Sequence, residues 1–184
     1  MAATRGQRRD AYVAKASFEL ASLRERGVET AGNAFSSLLL VKGELSEEEA
    51  AGAALLSGPD GRALASAFER LGYAPEDWAS LSALGPDGAP LAPGLAREAV
   101  CCLDPDTLVA LDDVAADLMR QAFAEELVRL PSLGQAMLAD GEVAQVLGMR
   151  VIALGGFAAS LASPREKQLM WARLKQIPPL GEPY

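Results

Sequence analysis

Four short apolar segments, at residues 35–41, 78–84, 106–111 and 149–154, alternate with stretches of helical periodicity, and this alternation constrains the fold more than any other feature of the chain. The first reads Phe-Ser-Ser-Leu-Leu-Leu-Val. A run that short with no polar alternation suits a strand covered on both faces, as in a parallel sheet. Strands that are separated by helices imply right-handed crossovers, with helices on both faces of the sheet. The expected architecture is therefore α/β, a three-layer α/β/α sandwich around a four-stranded parallel sheet. Ligands of such sheets bind beyond the carboxyl ends of the strands, here residues 42–44, 82–85, 111–113 and 154–157.

The intervening segments carry start and stop signals. Residues 10–26 read as an amphipathic helix stopped by Gly27, and residues 44–49 as a loop or short helix. Ser57-Gly58-Pro59-Asp60-Gly61 is turn chemistry entering a helix with Leu64, Ala67, Phe68 and Leu71 on one face. Residues 85–94, rich in Gly and Pro, form a loop, and residues 96–103 a helix. Asp112 or Asp113 can cap a helix that runs to about Val128. Ser163-Pro164-Arg165-Glu166 places a Ser cap, a first-turn proline and a third-position glutamate ahead of a last helix through Gln176.

Composition narrows the chemistry. The 184 residues, 50% of them hydrophobic, are enough for one domain with its own core. Histidine is absent, which removes every triad or metal site that needs imidazole. Cys101 and Cys102 are adjacent, so they neither close a useful loop nor supply a metal set, and they read as buried thiols on one helix. No cofactor is expected. The start of the chain has no apolar core of a signal peptide, and no run approaches the roughly 18 apolar residues of a membrane helix, so a cytoplasmic, non-membrane protein is expected. The Ala-, Gly-, Leu- and Arg-rich composition suits a high-GC bacterial host.

The net charge of −8 disfavours nucleic acid as a partner, because phosphate binding needs the opposite sign. The charge is uneven. Residues 1–26 carry Arg5, Arg8, Arg9, Lys15, Arg24 and Arg26 against three acids, whereas residues 97–143 carry ten acids against Arg97, Arg120 and Arg129. A protein partner or a second copy of the chain is compatible with this surface; the sequence names neither.

Several segments together resemble the family-4-like uracil-DNA glycosylases. Leu-Leu-Val-Lys-Gly43-Glu44 is similar to the strand and Gly-Glu that open the family's first motif, although Leu45-Ser46-Glu47 replaces its Ala-Pro-Gly. The segment from Gly52 through Leu56 and Gly58 to Leu64 resembles the turn in which an aromatic residue stacks on uracil, with Leu56 at the aromatic position. Asp104 to Leu111, with Ala115 and Ala116, resembles the third strand and helix, Asp112 replacing the usual glycine. Val151 to Ala158, followed by Leu161, Pro164, Lys167, Trp171 and Lys175, resembles the His-Pro-Ser loop and closing helix, Gly156 standing where the histidine belongs. The resemblance covers about residues 34–175. It implies one glycosylase-like domain over residues 1–184, with a helical N-terminal extension over about 1–28. The family's cluster-ligating cysteines have no counterparts before Gly43, so no iron–sulfur cluster is implied.

A uracil glycosylase must hold a flipped base, stabilise a cationic sugar and shield the departing uracil anion. Glu44 is the candidate catalytic carboxylate, with an inert solvated loop acid as the plainer alternative. The candidate ligand cleft comprises Gly43, Leu56, Ser57, Gly58, Ser82, Asp112, Gly155, Gly156 and Phe157. Within it, Ser82 offers a hydroxyl where the family reads the uracil edge with an amide, and Gly156 offers only its backbone N–H. Leu56 reads first as core packing under the glycine turn, with a base contact as the alternative. The turn at residues 57–61 can cradle a phosphate at a helix N-terminus, but the Asp60 carboxylate competes for the same amides. Asp112 and Asp113 are either an acid–base dyad, a cation site or helix caps. The resemblance with its catalytic groups missing implies a non-catalytic binding or interaction module; the alternative is a divergent glycosylase that acts on uracil or a damaged base through Glu44.

Overall fold

A computed structural model describes residue 14 and residues 17–178 of the chain. Most of the expected N-terminal helix before residue 17 lies outside these. Helix α1, residues 17–25, buries Leu20 and Leu23 and ends at Gly27, whose φ of +88° only glycine adopts freely. Strands β1 (Thr30–Gly32) and β2 (Leu38–Lys42) follow, then the short helix α2 (Glu47–Ala50) and helix α3 (Pro59–Arg70). A single 3-10 turn leads into β3 (Trp78–Ser82), α4 (Pro93–Leu103), β4 (Thr107–Ala110) and α5 (Asp113–Ala122). The chain continues through α6 (Ala124–Leu127), α7 (Leu133–Ala136), β5 (Val143–Val146), β6 (Met149–Ala153), α8 (Phe157–Ser160) and α9 (Pro164–Leu174).

The fold is α/β, and each of the four expected strands is present. β2 pairs in parallel with β3 and with β4, and β4 in parallel with β6. The expected four-stranded parallel sheet is nevertheless corrected to a six-stranded mixed sheet of order β1-β3-β2-β4-β6-β5. β1 and β5 are antiparallel additions at the two edges. β1 covers only three residues and is partly exposed. β5 returns along β6 through a hairpin turn at Leu147-Gly148.

Smaller expectations are corrected as well. The first strand begins at Leu38, because residues 33–36 form a turn that leaves Phe35 49% exposed. The helix after β4 stops at Ala122 and restarts at Ala124, since Phe123 turns in with a non-helical φ of −119°. Ser163 stands at the cap of α9, but its side chain makes no capping hydrogen bond. Cys101 is exposed and Cys102 half-buried, so the adjacent thiols are not a buried pair. Neighbours on a helix are turned about 100° apart, and only one can lie on the core-facing stripe.

Strand side chains alternate between two cores. Leu39, Val41, Leu81, Leu108, Ala110 and Val151 pack with α1, α4 and α5 on one face. Leu38, Leu40, Val109, Leu111, Ile152 and Leu154 pack with α3, α8 and α9 on the other. Helices thus cover both faces of the sheet. Among the described residues no helix is long and apolar enough to cross a membrane. β2 connects onward to β3 on one side, whereas β4 connects onward toward β6 on the other, so the crevice of an open α/β sheet falls between β2 and β4.

Candidate functional site at the strand ends

Lys42 is the last residue of β2, and the strand's alternation directs it to the same side as Leu38 and Leu40, toward α3. It is only 3% exposed. Its ammonium donates to Glu49 Oε2 and to Asp60 Oδ2, each at 2.5 Å. Glu49 belongs to α2, where it forms a capping box with Ser46 and also accepts from the Leu56 N–H at 2.6 Å. Asp60, in the first turn of α3, accepts from the Gly61 N–H with its other oxygen. A buried charge persists only with such partners. Burial works to lower the Lys42 pKa, but the hydrogen bonds and charges of Asp60 and Glu49 outweigh it and the group is raised. Burial likewise works to raise Glu49, while the bonds from Lys42, Ser46 and Leu56 hold it below its ordinary value.

Asp112 fastens the other wall of the crevice. One carboxylate oxygen accepts from the Gly43 and Glu44 N–H groups at 2.8 and 2.9 Å, and the other from the Ala115 N–H at 2.8 Å. It therefore caps α5 and pins the loop after β2 at the same time. Gly43 is required there, because a Cβ would sit 2.5 Å from the Val114 side chain. Asp113 is exposed in the first turn of α5, where the helix dipole favours a carboxylate.

The remaining candidates are dispersed. Glu44 is exposed at the mouth of the crevice; partial desolvation raises its carboxyl pKa first, then the charges of Asp112 and Asp113, with Lys42 opposing. Ser82 is 1% exposed, and its hydroxyl donates to the Leu84 carbonyl and accepts from the Leu84 N–H, within its own turn. Leu56 is 7% exposed, packs in the α3 core and has a φ of +60°. Gly61 makes room for that turn, since any Cβ would lie inside the Leu56 carbonyl. Ser57 is exposed and Gly58 is the cap residue of α3, with the Asp60 carboxylate on the Gly61 amide. Gly155 and Gly156 both have positive φ, and the Asp140 carboxylate occupies the space a Gly155 side chain would need. Phe157 is 4% exposed, its N–H bonded to the Leu111 carbonyl.

Lys42, Glu44, Asp60, Leu111, Asp112 and Phe157 surround a cavity of about 10 Å³. Room for roughly one water remains. Ser82 does not reach it. The sequence directs attention to these strand ends and to the Asp60 carboxylate, but does not reveal that Lys42, Glu49 and Asp60 form one buried ion network there. A lysine closing an unbroken apolar strand was the signal, because that position is buried by alternation and its charge demands partners. No group of three or more potential metal ligands occurs among the described residues. Comparison of the chain with protein-family models and with curated proteins finds no match in either.

Proposed function

We propose that the chain is a non-catalytic, uracil-DNA glycosylase-like domain of three-layer α/β/α type that works as a binding or interaction module. The size of the strand-end cavity carries this reading. Sites that enclose small ligands run to roughly 300–1,000 Å³, against about 10 Å³ between β2 and β4. The space is taken by the Phe157 ring and by a lysine already neutralised by two carboxylates. A further support is the φ of +86° at Gly156, which a histidine would adopt only under strain.

Glu44 favours a second reading, a divergent glycosylase, because it stands at the crevice mouth with a perturbed carboxyl. The perturbation runs toward the neutral form, opposite to what a carboxylate that stabilises a cationic sugar requires. The two readings separate in one assay. Excess protein is incubated with a labelled uracil-containing oligonucleotide, then alkali reveals abasic sites. No cleavage above the protein-free control is expected; cleavage that disappears in Glu44→Ala overturns the non-catalytic reading.

A further inference from the structure

On the same side of the sheet, α3 and α9 face each other with matching stripes. Ala63, Ser66, Ala67 and Arg70 lie on α3 at i, i+3, i+4 and i+7, and Lys167, Met170, Trp171 and Leu174 repeat that spacing on α9. The two stripes do not close on each other. Between them is an open groove of about 420 Å³ floored by Phe157 and Leu161 of the α8 segment. That volume lies within the roughly 300–1,000 Å³ of small-ligand sites.

The polar groups of the groove are all potential donors or hydroxyls. Arg70 and Lys167 supply one cation from each wall, and neither forms an ion pair among the described residues. The Trp171 indole makes no hydrogen bond there either, and Ser66 is exposed. The lining contains no carboxylate, although the chain has 25 acids and a net charge of −8. An acid-free apolar groove between two unpaired cations is complementary to an apolar body that bears one anionic head. We propose that the α3–α9 groove binds a medium-chain acyl or aryl carboxylate, the apolar part against Phe157, Leu161, Met170 and Trp171 and the carboxylate held by the cation at one end, Arg70 or Lys167. This rests on the binding-module reading and gives it a ligand class, in a groove that adjoins the strand-end crevice through Phe157.

The test uses octanoate and, as its uncharged counterpart, 1-octanol, titrated into full-length Trp78→Phe protein so that Trp171 is the single indole reporter. Octanoate is expected to shift Trp171 fluorescence saturably below its micellar range, and to bind about tenfold or more tightly than octanol, the margin of one charge-assisted contact. Arg70→Gln with Lys167→Gln, both exposed positions, should abolish that preference. Ala67→Phe should fill the groove and suppress both ligands, with circular dichroism confirming the fold. No saturable shift, equal affinity for acid and alcohol, or undiminished octanoate binding in the double variant overturns the proposal. Uracil release is measured on the same preparation. Release with octanoate binding sinks only the non-catalytic reading, and neither release nor binding sinks only the groove.

Discussion

Replacing Lys42 by methionine tests whether a charge network closes the crevice. The side chains of Lys42, Glu49 and Asp60 are 4%, 0% and 10% exposed, so removing the ammonium strands carboxylates where water does not reach them. Breaking a buried pair in this way costs about 3–5 kcal/mol. For a chain of this length each kcal/mol is worth about 2–4 °C, so the melting temperature should fall by on the order of 6–20 °C. A triple variant, Lys42→Met with Glu49→Gln and Asp60→Asn, retains acceptors for the Leu56 and Gly61 amides without a buried charge, and should recover most of the loss. The assay is urea unfolding followed by tryptophan fluorescence and circular dichroism, with slopes compared to confirm a shared unfolded state. pH supplies a second axis. In the wild type Glu49 is depressed, so its contribution is present above the unfolded carboxylate range and is lost as pH falls through its lower folded value. Without Lys42 its main opposing partner is gone and burial pushes its carboxyl upward, so protonation relieves the variant progressively as pH falls toward the ordinary carboxylate range. The gap between the two proteins should therefore narrow on acidification. A Lys42→Met protein within about 1 kcal/mol of wild type at neutral pH, or a gap that widens in acid, would refute the reasoning.

Other outcomes follow from single positions. Asp112→Ala removes three backbone hydrogen bonds at once and should cost on the order of 2–3 kcal/mol in urea unfolding, with Asp112→Asn intermediate. Gly61→Ala would normally gain up to about 1 kcal/mol inside a helix; here the Leu56 carbonyl occupies the Cβ position, and a loss of about 1–3 kcal/mol is expected in the same assay. Leu147 is 62% exposed with φ +53° in the β5–β6 hairpin, so Leu147→Asn should stabilise by up to about 1 kcal/mol, and a lower melting temperature would count against it. Duplex and single-stranded DNA should bind weakly at physiological salt, whereas sub-micromolar affinity with a steep salt dependence would expose a basic footprint.

The four central strands were legible because a strand buried on both faces is an unbroken apolar run, a property of a few consecutive residues. The helix starts at Pro59 and Pro164 were legible for the same local reason, whereas α4 opens at Pro93, inside the segment read as a loop and three residues before the expected start. β5 escaped because its hairpin turns on Leu147-Gly148, which accepts two positive φ values without the Asn-Gly signature. β1 escaped because three partly exposed residues carry no periodicity. The sequence pointed to the carboxyl ends of all four strands; that the crevice lies between β2 and β4 follows from the strand order, and its content depends on contacts between distant segments. Glu49 lies 7 residues from Lys42 and Asp60 18 residues from it, in different helices. Asp112 reaches back 69 residues to Gly43. Whether an acid near a strand end is a solvated loop charge, a cap or one member of a buried ion network is set by which backbone amides and cations packing brings to it. Local sequence determined that β2 is a strand covered on both faces, because an unbroken apolar run is a property of consecutive residues; only the tertiary structure decided that Lys42 at its end would be buried and that two carboxylates and Phe157, rather than a ligand, would stand beside it.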